Sequence, residues 1–124
     1  MNRRSTLTSL LFLPLAATQQ AAAQSTNQLT HKELRDLMMT AKTKADHQKI
    51  ANHYKAEADH LLAEAKEHEE MADLYQKNPP LLSAKNPLAI GEKHCRGIAE
   101  RLRQAAVQTR ALSVMHDQVA AKTN

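Results

Sequence analysis

The sequence predicts an all-α protein: a long antiparallel helical hairpin with an alanine-rich heptad seam, preceded by a short N-terminal helix. Three observations predict it. Only two Gly occur in 124 residues, too few turn formers for a multi-strand sheet, a barrel or a glycine-rich nucleotide fold. Neither Gly nor Pro interrupts residues 44–77, a stretch long enough for ~50 Å of helix. Small residues also recur every seven positions in both halves of the chain, as Ala51, Ala58, Ala65 and Ala72, then as Ala99, Ala106, Ser113 and Ala120.

The first segment reads as an address. Arg3 and Arg4 precede the short apolar run Leu10–Ala17, and Ala21-Ala22-Ala23 supply the small residues an export peptidase reads. A signal peptide over residues 1–23 is expected, leaving a single helical domain over 24–124 that is exported to the periplasm or medium. Eight apolar residues make only ~12 Å of helix, so no transmembrane anchor is expected. Without Arg3 and Arg4, 15 basic residues face 13 acidic ones. With no basic stripe and aromatics at 2%, nucleic-acid binding is not expected.

The elements follow from local chemistry. Thr30-His31-Lys32-Glu33 fits a capping box, and Leu29 with Leu34 forms the matching hydrophobic staple. Leu34, Leu37, Met38 and Ala41 continue one apolar stripe, so a helix is expected over about 31–42. Thr43-Lys44-Ala45-Asp46 repeats the cap and opens the second helix, over 44–77. Asn78-Pro79-Pro80 stops it, because proline lacks an amide hydrogen and disfavours helix in the residue before it. Residues 81–86 are the linker. Asn86 and Pro87 then cap and open a third helix, over 87–121, whose start Gly91 weakens.

The two long helices share a pattern. On the second helix His47, Tyr54, Leu61, His68 and Tyr75 flank the alanines, and on the third Cys95, Leu102, Thr109 and His116 do the same. A shift of 48 residues superposes the sets, an internal repeat. Small residues on one row imply backbones nearer ~8 than ~10 Å apart. Residues 46–77 hold eight acids and four bases, a net of −4, whereas 85–122 hold three acids and seven bases, a net of +4. Opposite charge thus favours the pairing. A two-helix hairpin buries few large side chains, so the short helix is expected to do part of the covering, with a four-helix bundle formed by two copies as the open alternative.

The run Ala41-x-Thr43-x-x-Asp46-His47, followed by Ile50-Ala51-x-x-Tyr54, His68-x-x-Met71-Ala72, His94-Cys95 and a closing His116, resembles a group of small exported bacterial α-helical proteins with no assigned activity. The resemblance spans nearly the whole mature chain. It implies export and a long helical hairpin, and nothing about chemistry.

Six of the seven His lie on the long helices, and three groupings merit a chemical reading. His53, Glu57, His60 and Glu64 share one helical face and could chelate a divalent ion, although the same spacing describes a solvated polar face. Their Glu-x-x-His element lacks the second pair a di-iron bundle needs. At the linker end, Cys95 is expected opposite Tyr75 and near Met71, with His68 one or two turns further on. Those groups could take copper or zinc, or simply pack. At the open end His116 is expected to approach Tyr54, Ile50 and His47. The metal alternative therefore uses His68, Cys95 and His116, with Met71. A single Cys excludes an internal disulfide and leaves Cys95 free, modified or paired between chains.

No catalytic machinery is legible. The chain lacks a nucleophile elbow and a phosphate loop, and adjacent His94 and Cys95 point ~100° apart on a helix, so they form no dyad. The Cys-x-x-Cys-His haem signature is absent. The expected role is a non-catalytic binding or structural module without a cofactor, the alternative being a metal-binding protein of the copper or zinc type.

Overall fold

The computed structural model describes residues 28–78 and 85–124. The expected signal peptide and the linker stretch 79–84 lie outside the described residues. Three α-helices follow in order: α1 (His31–Thr40), α2 (Lys44–Gln76) and α3 (Gly91–Lys122), with a 3-10 turn at Pro87–Ile90 leading into α3. No strand occurs among the described residues. The fold is the expected all-α hairpin.

Both N-terminal caps form as the sequence predicts. The Glu33 amide donates to Thr30 Oγ1 at 3.2 Å and the Thr30 amide donates back to the Glu33 carboxylate at 2.8 Å. Thr43 and Asp46 repeat this at 3.1 and 2.9 Å. α1 ends two residues earlier than expected, because Ala41 turns to an extended ψ of 123° so that Thr43 can cap α2. Asn86 caps the 3-10 turn rather than an α-helix, and Gly91 opens α3 instead of weakening it.

Gly91 is required for a packing reason. A Cβ there would lie 2.5–2.8 Å from three ring atoms of Tyr75, so the end of α2 lays an aromatic ring directly on the start of α3. Ala would gain up to ~1 kcal/mol in helix propensity, while displacing the ring costs ~1–3 kcal/mol. Gly91→Ala should therefore destabilise the chain, and the same change should stabilise it once Tyr75 is Ala. Urea denaturation of the four variants checks this, and a stabilising Gly91→Ala in the presence of Tyr75 would refute it.

The core is the alanine seam. Ala51, Ala58, Ala65, Ala72, Ala99, Ala106 and Ala120 are all at most 3% exposed, and Ser113 continues the row. The Ser113 hydroxyl donates to the Ala51 carbonyl at 2.8 Å, which fixes the register without widening the gap. One flank carries an arginine row absent from the sequence reading. Arg96, Arg103 and Arg110, seven residues apart, reach across to Asp73, Glu69 and Asp59. These pairs are about half exposed, so each contributes only ~0.2–1 kcal/mol and sets the antiparallel register more than the stability.

α1 folds back along the first turns of α2, covering part of the hairpin as expected. The Leu29 amide donates to His53 Nδ1 at 2.9 Å, and the Tyr54 hydroxyl meets the Met38 sulfur at 3.6 Å. Ile50, three residues before His53 on α2, is 0% exposed and the largest fully buried side chain among the described residues.

Candidate functional site

His47 and His116 come from facing rows of α2 and α3 and meet near the open end of the hairpin. Their Nδ1 atoms are 3.2 Å apart, so one ring donates an N–H and the other accepts it. The rings are 5.4 Å apart and inclined by 26°. Tyr54, seven residues after His47, stacks on the other side of His116 at 6.2 Å. The expected approach of His116 to His47 and Tyr54 is thus present, and the Tyr54 hydroxyl extends the cluster to Met38 on α1.

Burial first, and the neighbouring His47 second, hold the His116 imidazole below its ordinary range, while Asp117 pulls the other way. The folded chain then refuses a proton that the unfolded chain accepts near pH ~6.5. This stability is complete above that pH and is lost as the pH falls through the folded-state value. The groups concerned are His47 from α2 and Asp117 from α3, with the uncharged Tyr54 ring against His116. The carboxylates of Glu33 and Asp46 are also held low, chiefly by backbone amides of their capping boxes, and act in a separate window below pH ~4. Thermal midpoints should drop between about pH 7.5 and 5, and His116→Asn should flatten that drop. An equal drop in the variant would refute the assignment to His116.

The linker end differs from the expected register. Tyr75 meets Gly91 rather than Cys95. The pairs His47–His116 and Ala51–Ser113 instead place Cys95 level with His68, three heptads along the hairpin. His68 Nδ1 is buried and has no hydrogen-bond partner. Met71 lies one turn from His68 and is 39% exposed. His116, some 30 Å away along α2, cannot join them. The four residues His68, Cys95, Met71 and His116 therefore divide between the two ends of the molecule.

The stripe on α2 separates as well. His53 is buried and its Nδ1 is taken by the Leu29 amide, leaving Nε2 at 3.6 Å from Glu57. His60 is exposed and 3.8 Å from Glu64. The result is two i,i+4 pairs, one of which anchors α1, rather than a four-ligand face. Among the described residues no three His, Cys, Asp or Glu side chains converge on one point. No helix among them is long and apolar enough to cross a membrane.

No protein-family model, curated protein or solved structure matches this chain.

Proposed function

We propose that the chain is an exported, non-catalytic helical module that assembles by its exposed apolar side chains, and that its partner is a second copy of itself in a four-helix bundle. One observation carries this reading: the alanines are inside and the large apolar side chains are outside. Among the described residues Ile50 is the sole large side chain that is fully buried, whereas Leu74 and Val107 are 68% and 66% exposed. Met38, Met39, Leu112, Met115 and Val119 add apolar surface near the open end. Each methyl in the seam contributes only ~0.8 kcal/mol, so the hairpin alone is thinly stabilised and leaves its greasiest surface in water.

The charge distribution supports a second copy as the occupant. Two-fold packing lays the acidic α2 of one copy along the basic α3 of the other, the same pairing that joins α2 to α3 within a chain. Packing on the flank away from the arginine row would bury Met71 and Leu74 of α2 with Leu112 and Val119 of α3. Sedimentation equilibrium should give twice the monomer mass, and Leu112→Glu should halve it with helicity retained. A wild-type monomer at high micromolar concentration overturns the reading.

A second reading is supported by His68. Its buried, unpaired Nδ1 is the kind of group that calls for a partner, and Cys95 is level with it on α3. A copper or zinc ion held by His68 and Cys95, with Met71 one turn away, would satisfy it. Titration with Cu(I) and Zn(II) tests this. Binding that drops in both His68→Ala and Cys95→Ser supports it, and binding unchanged in both overturns it.

A further inference from the structure

We propose that His47 and His116 form a metal site, separate from the linker end, as a two-nitrogen clamp for Cu(I) at the open end of the hairpin. The geometry is the starting point. Two nitrogens of the same kind, from residues 69 apart in sequence, face each other at 3.2 Å. Nitrogens bound to one ion at ~2.0–2.1 Å lie ~3.3 Å apart at a tetrahedral angle and ~4 Å apart when opposed. The pair must open by ~0.1 Å for the first arrangement and ~0.8 Å for the second to admit an ion where it now holds a single hydrogen.

The ligand set selects the ion. A closed zinc site takes four ligands, and no third His, Cys, Asp or Glu converges on this pair among the described residues. Cu(I) accepts low coordination and favours soft donors, and the cluster ends on a thioether, Met38, which the Tyr54 hydroxyl meets. The Tyr54 ring covers the far side of His116. Imidazole binds metal through the lone pair of a neutral ring nitrogen. On binding, the ring that carried Nδ1–H keeps its proton at Nε2 after exchange through solvent. Two uncharged imidazoles would thus take up the cation with no net release of protons.

Anaerobic titration of the purified full chain with Cu(I), against a chromophoric Cu(I) chelator, tests the site, with Zn(II) as the control metal. One Cu(I) should bind per chain, with the Nδ1 resonances of His47 and His116 shifting in imidazole nitrogen NMR while Zn(II) leaves them unmoved. His47→Asn and His116→Asn should each weaken binding by more than ~100-fold, beyond the roughly 10–100-fold effect of an outer partner. His68→Ala and Cys95→Ser should leave these two resonances responding as before. The NMR readout needs only wild-type protein, so an unfolded variant does not spoil the test. If Cu(I) fails to bind, or binds without moving these two nitrogens, the proposal is overturned. A response confined to His68 and Cys95 would overturn it in favour of the linker-end reading.

Discussion

Ala58→Leu should destabilise the chain by ~1–3 kcal/mol, a fall in melting temperature of roughly 5–20 °C for a domain of this size. Ala58 is 0% exposed, and one heptad along both helices from the Ala51–Ser113 contact it faces Ala106, 3% exposed. The helices approach closely only because both positions stop at a methyl. A leucine there has no space and must push the backbones apart, which also stretches the arginine row on the flank. Leucine at the exposed Ala63 keeps helix propensity and meets nothing, so it should be nearly neutral. The double variant Ala58→Leu, Ala106→Leu should cost less than the two single changes together, since the gap need open only once. Calorimetry of the four proteins decides it. A wild-type melting temperature for Ala58→Leu would mean that the seam is not close-packed.

The seam was readable because a seven-residue period is a long-range signal: four alanines on one row and four small residues on another specify two helices and their facing sides. The caps were readable because Thr-x-x-Glu and Thr-x-x-Asp are local chemistry. Charge totals gave the attraction between the arms, but the arginine row at 96, 103 and 110 was hidden inside a net charge of +4, although its own seven-residue spacing was in plain view.

The site was partly readable. Once the hairpin is antiparallel, His116 must come near His47 and Tyr54. The linker end was harder, because a register error of one turn exchanges Cys95 for Gly91 opposite Tyr75, and no pattern in the chain weighs an aromatic ring against a missing Cβ. His53 was grouped with Glu57, His60 and Glu64 by helical spacing alone. Its actual partner is a backbone amide 24 residues earlier, a contact that depends on how α1 folds back and that no spacing rule on α2 reveals.

Ile50→Ala should have the largest effect of any single truncation, ~2–5 kcal/mol, because among the described residues Ile50 is the one large side chain that is fully enclosed. Ile50 lies beside the alanine row rather than on it, so the heptad pattern leaves it on a flank. α1 is anchored one turn further along α2, by the Leu29–His53 bond and the Met38–Tyr54 contact three and four residues after Ile50. A cavity here weakens the hold of a ten-residue helix that has no fully buried residue of its own and is too short to persist alone. The loss should therefore appear locally before it appears globally. Hydrogen exchange at the amides of α1 should quicken strongly in Ile50→Ala, while the centre of α2 near Ala65 stays protected until the whole hairpin melts. Ile50→Val, which removes one methyl, should cost only ~0.5–1.5 kcal/mol and leave α1 docked. Were Ile50→Ala to melt and exchange like the wild type, Ile50 would not be a contact on which the docking of α1 depends.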